Sequence, residues 1–123
     1  MNILLLPYPP SVNALWRHAG NRTYRTKRYT DWAADAARHI KLQHKILKIT
    51  TPVKVELAVG RPDRRRRDID NVVKAVFDLL QHQEILEDDS LIHDFRAYWS
   101  DEVVGVQVII KRIAGQVPGI LET

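Results

Sequence analysis

The strongest constraint on the fold is a change of hydrophobic period on either side of a charged loop. Along residues 53–59, VKVELAV, apolar residues alternate with more polar ones, which is typical of a half-buried strand. Along residues 69–80, apolar residues recur at every third or fourth position, which is typical of an amphipathic helix. Between them lies RPDRRRRD, residues 61–68. The chain must therefore join a strand to a helix through one short loop that carries five arginines.

Further segments add strands and a helix to this unit. The helix of this unit is predicted at residues 69–82. The other predicted segments are a strand at 2–9, an extended loop with room for a short hairpin at 11–29, and a helix at 30–48 with Thr30 as N-cap. Two more strands are predicted at 91–100 and at 102–112, the last with Val104 on its apolar side. The order β-α-β-α-β-β predicts an α/β domain of the α+β kind. We expect a small mixed sheet with two helices packed on one face.

The length and composition bound the class of protein. A chain of 123 residues without repeats or linkers predicts a single domain, residues 1–123, in which residues 113–123 are a loose tail. The chain has no cysteine, so disulfides and thiolate metal sites are excluded and a metal must use oxygen or imidazole ligands. The apolar start, MNILLLPYPP, lacks a basic region and is interrupted by prolines. We therefore expect a cytoplasmic protein with neither a signal peptide nor a membrane span.

Charge is distributed unevenly along the chain. Residues 1–50 carry nine basic residues against two acidic ones, and residues 51–67 carry six against two. Residues 68–102 reverse this balance, with two basic residues against ten acidic ones. Chance clustering of solvated charges is one explanation. The other is a polyanion that is held by a basic region and processed by an acidic one.

Acidic residues concentrate at two places that flank the second predicted helix. Asp68 lies where the loop meets the helix, Asp70 lies in the first turn, and Lys74 follows one turn later on the same polar face. Asp88 and Asp89 form a second pair, which a turn after the helix is expected to bring beside the first. Close carboxylates repel one another by about 1–4 kcal/mol per pair at intermediate dielectric. A hard cation such as Mg²⁺ relieves this repulsion and bridges to phosphate, so the pattern predicts a magnesium site.

Each of these residues alone has an ordinary structural role. Asp68 fits a helix N-cap, and Asp70 is placed to interact favourably with the helix dipole. Asp88 and Asp89 suit a turn, and Lys74 suits a solvated ion pair. Together they favour a metal site, because chance must explain two acidic pairs, a lysine on the same face and five arginines within about thirty residues.

Basic and aromatic residues supply candidate contacts to nucleic acid. Alternate residues of an extended loop face opposite sides, so about two of the arginines at 64–67 are expected to reach phosphates, while the others pair with carboxylates or face solvent. Aromatic residues alternate with basic ones in the N-terminal region, at Trp16, Tyr24, Tyr29 and Trp32. Stacking on unpaired bases and anchoring of the loop to the core both explain this pattern. We favour the core for Trp32, which lies within the predicted helix.

These segments together resemble the RusA family of Holliday junction resolvases. PDRRRRDIDNVVKAVFDLL followed by EDDS is similar to the family pattern P-D-x-R-R-x-D-x-D-N, K-x-x-x-D and then D-D. PYPPSVNALWRH also resembles the family's N-terminal P-P-S-x-N segment. The resemblance extends over roughly residues 5–112.

The resemblance implies a homodimeric, Mg²⁺-dependent endonuclease, with Mn²⁺ as the alternative cation, that nicks two opposed strands of a four-way junction. Its essential residues would be Asp68, Asp70 and Asp89 as metal-site carboxylates, Asp88 beside them, and Lys74. A water activated by the metal would attack the phosphodiester in line. The residues predicted to bind DNA are Arg17, Arg22, Arg25, Lys27, Arg28, Arg61, Arg64, Arg65, Arg66, Arg67 and Asn71.

One departure and two rival functions remain. Relatives often have a glycine and an aromatic residue between the second helix and the D-D pair, where this chain has HQEILEDD. The departure leaves open the shape of the turn and whether Asp88 or Asp89 is the main ligand. A non-catalytic junction or single-strand binding module would bind without metal and cleave nothing. A metal-dependent nuclease for flaps, forks or RNA would share the site but not the substrate.

Overall fold

The strands and helices follow the predicted order, and a short hairpin lies in the segment 11–29 for which one was considered. The computed structural model covers residues 2–10, 16–19, 22–25, 27–43 and 48–113, the second and third of these ranges as backbone only. The elements are β1 (Asn2–Leu6), β2 (Trp16–Ala19), β3 (Arg22–Arg25), α1 (Lys27–Gln43), β4 (Val53–Val59), α2 (Ile69–His82), a short 3₁₀ helix (Asp89–Leu91), β5 (Ile92–Trp99) and β6 (Val106–Arg112). The predicted tail lies outside these ranges except for Ile113, whose N–H donates to the carbonyl of Pro52 at 3.4 Å.

Four strands form a mixed sheet in the order β1-β6-β4-β5. β6 is antiparallel to β1 and to β4, whereas β5 is parallel to β4. β1, β4 and β5 therefore run in the same direction and finish at the same end of the sheet, which we call the carboxyl end. β2 and β3 form a separate antiparallel hairpin within the segment that had room for one. The predicted α+β class with a mixed sheet is confirmed.

Both helices cover the same face of this sheet. α2 buries an apolar stripe at Val72, Ala75, Val76, Leu79 and Leu80. This stripe belongs to one core with alternate residues of β4, of which Val55, Leu57 and Val59 are fully buried. On the opposite face, Ile3 and Leu5 are about half exposed. Within the described part of the chain, neither helix is long and apolar enough to cross a bilayer.

The first helix begins one turn earlier than predicted. Thr30 is not its N-cap, because the helix already includes Lys27. The reason is that Tyr29 and Trp32, three residues apart, are both buried and pack together with their ring centroids 5.8 Å apart. These two aromatic anchors favour helix one turn upstream of the threonine. The predicted end near Lys48 involves residues 44–47, which lie outside the described ranges.

The last strand begins later than predicted. Val104, expected on its apolar side, is 98% exposed, and the strand starts at Val106. Between them, Gly105 adopts a positive φ of 79°, and a Cβ at this position would lie 2.3 Å from the carbonyl oxygen of Leu6. The chain therefore bends at Gly105 and enters the sheet only afterwards.

The structure shows the shape of the turn after α2, where the sequence HQEILEDD departs from the family pattern. Glu84 has a φ of 58°, the left-handed conformation that glycine adopts without strain. The N–H of Ile85 then donates to the carbonyl of Leu80 at 3.0 Å, and Ile85 and Leu86 are buried in the core. Glu84 thus adopts the backbone conformation that a glycine would favour in this turn. The aliphatic side chains of Ile85 and Leu86 pack into the core next to it.

Replacing Glu84 by glycine should stabilise the protein. We expect Glu84→Gly to raise the free energy of unfolding by about 1 kcal/mol, because it removes the strain of a left-handed residue. Urea denaturation monitored by circular dichroism measures this change. Glu87→Gly, an exposed glutamate in the same turn without positive φ, is the matched control and should not stabilise. An unchanged or lower stability of Glu84→Gly would contradict the interpretation.

Candidate functional site

One carboxylate, that of Asp63, organises the arginine loop that leaves the carboxyl end of β4. Its Oδ1 accepts from the backbone N–H of Arg65 at 3.0 Å and from Nε of Arg67 at 3.3 Å. Its Oδ2 accepts from a terminal guanidinium nitrogen of Arg67 at 2.6 Å. The hydrogen bonds from Arg67 are the main cause that lowers the pKa of Asp63. The two side chains therefore form a bidentate clamp that fixes the course of the loop.

The arginines of this loop divide into two groups. The Arg67 side chain, held by Asp63, is 26% exposed. The Arg61 guanidinium lies over the ring of Trp99, 4.4 Å from its centroid. The arginines at 64–66 are exposed, as Arg61 also is, but they form no ion pair or ring contact with the described residues. One of the four consecutive arginines, Arg67, therefore pairs with a carboxylate, as was expected for some of them, and contact of about two of them with phosphates stays a prediction.

Residues 7–10, which follow β1, form the wall beside Arg67. The indole N–H of Trp32 donates to the carbonyl of Pro7 at 3.0 Å and ties this segment to α1. Tyr8 is half-buried, and burial is the main cause that raises the pKa of its hydroxyl, against the opposing charge of Arg67. Tyr8, Arg67, Asp68 and Asn71 line a small cavity together. The N-terminal proline segment is thus part of the same site as the loop.

Asp68 and Asp70 lie at the start of α2. Asp68 has an extended backbone and is the N-cap, because its Oδ1 accepts from the N–H of Asp70 at 3.0 Å. The structural role considered for Asp68 is therefore present. Both residues are exposed, and the second carboxylate oxygen of Asp68 is not used in the cap. Capping and a contact to a cation are compatible, since each needs one oxygen.

Asp88 and Asp89 lie in the turn before β5. Asp88 caps the short 3₁₀ helix by accepting from the N–H of Ser90 at 3.1 Å, and this bond is the main cause that lowers the pKa of Asp88. Asp89 has a raised pKa, chiefly from partial desolvation and then from the hydrogen bond and charge of Asp88. The N–H of Asp89 donates to Oε1 of Gln81 at 3.2 Å. The second acidic pair is therefore attached to the last turn of α2.

The two acidic pairs do not meet within one chain. α2 has 14 residues and is about 20 Å long, with Asp68 at its first end and Asp89 beside its last turn. The N–H of Ile49, just before β4, donates to the carbonyl of Ile85 at 2.8 Å, which fixes the turn at the end of the sheet opposite the arginine loop. Among the described residues, no group of three or more carboxylates or histidines could hold a metal. The expectation that the turn brings Asp88 and Asp89 beside Asp68 is thus not met in the single chain.

The polar face of α2 connects the two pairs. Lys74 is exposed one turn after Asp70, as the helical spacing requires. Asp78 lies one turn further and contributes to the raised pKa of Asp89. Acidic and basic side chains therefore line the solvent side of α2 along its length.

The predicted contacts in the N-terminal region are only partly described. Arg17, Arg22, Arg25, Trp16 and Tyr24 belong to the hairpin, of which only the backbone is described. Lys27 pairs with Asp31 at 3.1 Å, and Arg28 is exposed. Tyr29 and Trp32 are buried in the core and are not available for stacking on bases. The preference for Trp32 as a core residue is confirmed.

Sequence reasoning missed two residues of this site, Asp63 and Tyr8. An aspartate four residues before an arginine, in a loop crowded with positive charge, is the signal that would have identified the clamp. For Tyr8 the signal is weaker. Tyr8 lies beside Arg67 because β1 and β4 run in the same direction, and no pattern in the sequence predicts that direction.

The sequence of the chain is similar to those of known proteins of one family. The family model of the endodeoxyribonuclease RusA matches residues 7–111. The crossover junction endodeoxyribonuclease rusA of Enterobacteria phage HK97 is 32% identical over 107 residues, which is 87% of this chain and 89% of the relative. The proteins of the same name from Escherichia coli K12 and Enterobacteria phage 82 are each 38% identical over 93 residues, or 76% of this chain and 78% of the relative.

The clamp in the arginine loop predicts a pH dependence. Because Arg67 lowers the pKa of Asp63 in the folded protein, the clamp contributes stability above the ordinary aspartate pKa and loses it as the pH falls through the lowered value. Arg67→Gln should therefore raise the pKa of Asp63 toward its ordinary value, as measured by NMR titration of the side-chain carboxyl carbon. Arg64→Gln, an exposed neighbour, is the control and should leave that pKa nearly unchanged. An equal shift in both variants would contradict the clamp.

Proposed function

The chain belongs to the RusA family of endodeoxyribonucleases, and on this premise we propose that it resolves four-way DNA junctions by paired, symmetric nicks. The family matches in Escherichia coli and in two phages support a bacterial or phage setting in the cytoplasm, where the DNA is. The single observation that carries the proposal is the arginine loop. It exposes the arginines at 64–66 directly before Asp68 and Asp70, at one end of the sheet.

The arginines would hold the DNA backbone. Arginine side chains that neutralise phosphates release counterions, so the affinity should fall steeply with added salt. The exposed arginines at 64–66 precede Asp68 and Asp70 in the chain and place positive charge near these carboxylates, whereas the charge of Arg67 is balanced by Asp63. This arrangement lets a polyanion approach an acidic site that would otherwise repel it.

The carboxylates of Asp68 and Asp70 suit a divalent cation, Mg²⁺ or Mn²⁺. Magnesium sites that act on phosphates commonly use one or two protein carboxylates, completed by water and substrate oxygens. Asp68 and Asp70 are exposed, and one Asp68 oxygen is free of the helix cap. When bound, such a cation supplies positive charge at the phosphodiester and makes a nearby water more acidic. Lys74 would add charge on the same face, where negative charge develops in the transition state.

A homodimer would serve the reaction in two ways. A two-fold pair of chains presents two sites to a junction with two opposed strands to cut. It would also overcome the separation along α2, because a second copy can bring its Asp88 and Asp89 to the Asp68 end of the first. We therefore propose a site that draws its acidic pairs from both chains.

A substrate panel tests the proposed function. A synthetic four-way junction, a fork and a linear duplex are each incubated with the protein in Mg²⁺ and in EDTA, and the products are separated on a denaturing gel. Paired nicks in the junction alone, and only with Mg²⁺, are expected. Cleavage of the fork instead would favour a nuclease for other branched substrates. Binding without any cleavage would favour a non-catalytic binding module.

The variant Asp70→Asn should separate binding from cleavage. Loss of one carboxylate charge weakens cation binding, so we expect junction cleavage to fall by at least about a hundredfold while junction affinity changes little. Gel shift and single-turnover cleavage measure the two quantities. Asp35→Asn, which removes a carboxylate paired with Arg38 on α1, is the control and should leave both unchanged. Cleavage by Asp70→Asn at the wild-type rate would remove Asp70 from the site.

Mixing inactive variants tests the shared site. If the acidic pairs come from different chains, mixed dimers of Asp68→Asn and Asp89→Asn contain one intact site, so the mixture should regain cleavage as single nicks. Mixed dimers of Asp68→Asn and Asp70→Asn contain none and are the control. Differently tagged chains confirm that mixed dimers form. Their formation without any regained cleavage would show that each site lies within one chain.

A further inference from the structure

A larger cavity lies beside the candidate site at the carboxyl end of the sheet. Its volume is about 630 Å³, within the range of about 300–1,000 Å³ that is typical of sites for small ligands. Two aromatic residues, three prolines and three arginines form most of its wall, among them Tyr8, Trp32, Pro62, Arg28, Arg65 and Arg67. We call it the Tyr8 cavity.

The charge of the Tyr8 cavity favours an anion. Asp31 is the one acidic residue among the described lining residues, and its carboxylate pairs with Lys27 at 3.1 Å. Arg28 and Arg65 are exposed and form no ion pair with any described residue. Two guanidinium groups are therefore available to a phosphate.

The part of the Tyr8 cavity that Tyr8 and the prolines form suits a flat ring. Tyr8 is half-buried, so its position is set by the protein, and the prolines beside it add surface without hydrogen-bond donors. Nucleic-acid bases stack on aromatic side chains without regard to sequence, because every base has a π-face. A ring surface next to arginines is thus suited to a nucleotide, which has both a base and a phosphate.

The position of the Tyr8 cavity relates it to the carboxylates. Tyr8 and Arg67 line this cavity and also the small cavity that contains Asp68. The two spaces are therefore neighbours that have the Arg67 side chain as a common part of their walls. A DNA strand whose phosphate lies at Asp68 would then have its next nucleotide close to the Tyr8 cavity.

We propose that the Tyr8 cavity binds one unpaired nucleotide of the cut strand, next to the scissile phosphate, with its base against Tyr8 and a phosphate at Arg28 and Arg65. This inference rests on the proposed junction cleavage and adds a strand subsite to it. A base inside a duplex stacks on its neighbours and has no free face for Tyr8, so the proposal requires an unpaired base. The strand exchange point of a junction and a single strand both supply unpaired nucleotides.

Abasic substitution combined with Tyr8→Ala tests the subsite. Junction affinity is measured by fluorescence anisotropy in EDTA for wild type and variant, on junctions with one abasic residue at each position around the mapped nick. Tyr8→Ala should weaken binding to the intact junction at least about fivefold. On the junction that is abasic at the occupied position, the variant should bind no more weakly than wild type. Equal losses at every position would overturn the proposal.

Two further variants separate stacking from folding and from general charge. Tyr8→Phe keeps the ring and should retain the affinity, whereas a loss equal to that of Tyr8→Ala would overturn the stacking role. Arg28→Gln should reduce the slope of log affinity against log salt by about one. Arg38→Gln, an exposed arginine on the same helix that pairs with Asp35, is the control and should leave the slope unchanged.

The choice of substrates distinguishes the possible sources of the nucleotide. The effect of Tyr8→Ala should appear on the junction and on a single strand, if any unpaired nucleotide is accepted, or on the junction alone, if the exchange point is required. An equal effect on a linear duplex would overturn the proposal, since its bases are paired. If the wild type cleaves the junction but Tyr8→Ala leaves the junction affinity unchanged, the subsite is overturned and the proposed function is not. Absence of junction binding and cleavage by wild type would overturn both proposals.

Discussion

Burial of one face of α2 against the sheet is the interaction on which the candidate site depends. This face presents five buried residues to the core, and a buried aliphatic side chain of the larger kind contributes about 1.5–3 kcal/mol. Because the stripe is continuous, both ends of the helix are fixed relative to the strands. Asp68 is therefore held at the carboxyl end of the sheet and Asp89 near the opposite end. The same packing that stabilises the fold keeps the two acidic pairs apart.

The arginine loop shows how charges of both signs share a small space. Asp63 takes up the charge of Arg67 and shapes the loop, so the exposed arginines at 64–66 are directed outward. Asp68 uses one oxygen to cap α2 and leaves the other free. The structural role of Asp68 thus occupies one of its two carboxylate oxygens. A residue that satisfies the fold with one oxygen is not thereby excluded from chemistry with the other.

The spacing of apolar residues predicted a helix or strand correctly where one hydrophobic period continued along the whole segment. The bounds of α2 are confirmed, because its apolar residues follow the helical period without interruption. The predictions that Thr30 caps the first helix and that Val104 belongs to the last strand were wrong for related reasons. Burial of Tyr29 and Trp32 in the core extends one helix, and the close approach of Gly105 to the carbonyl of Leu6 delays one strand. In both places a tertiary contact outweighed a local signal that was weak by itself.

The sequence by itself determined the class of the fold, the amphipathic helix after the arginine loop and the set of charged residues around it. These follow from periodicity and composition, which are properties of neighbouring residues. Only the tertiary structure decided which charges meet. The separation of the acidic pairs along α2 and the approach of Tyr8 to Arg67 depend on strand direction and helix length. Contacts between distant segments arise from packing, and a pattern along one segment carries no measure of them.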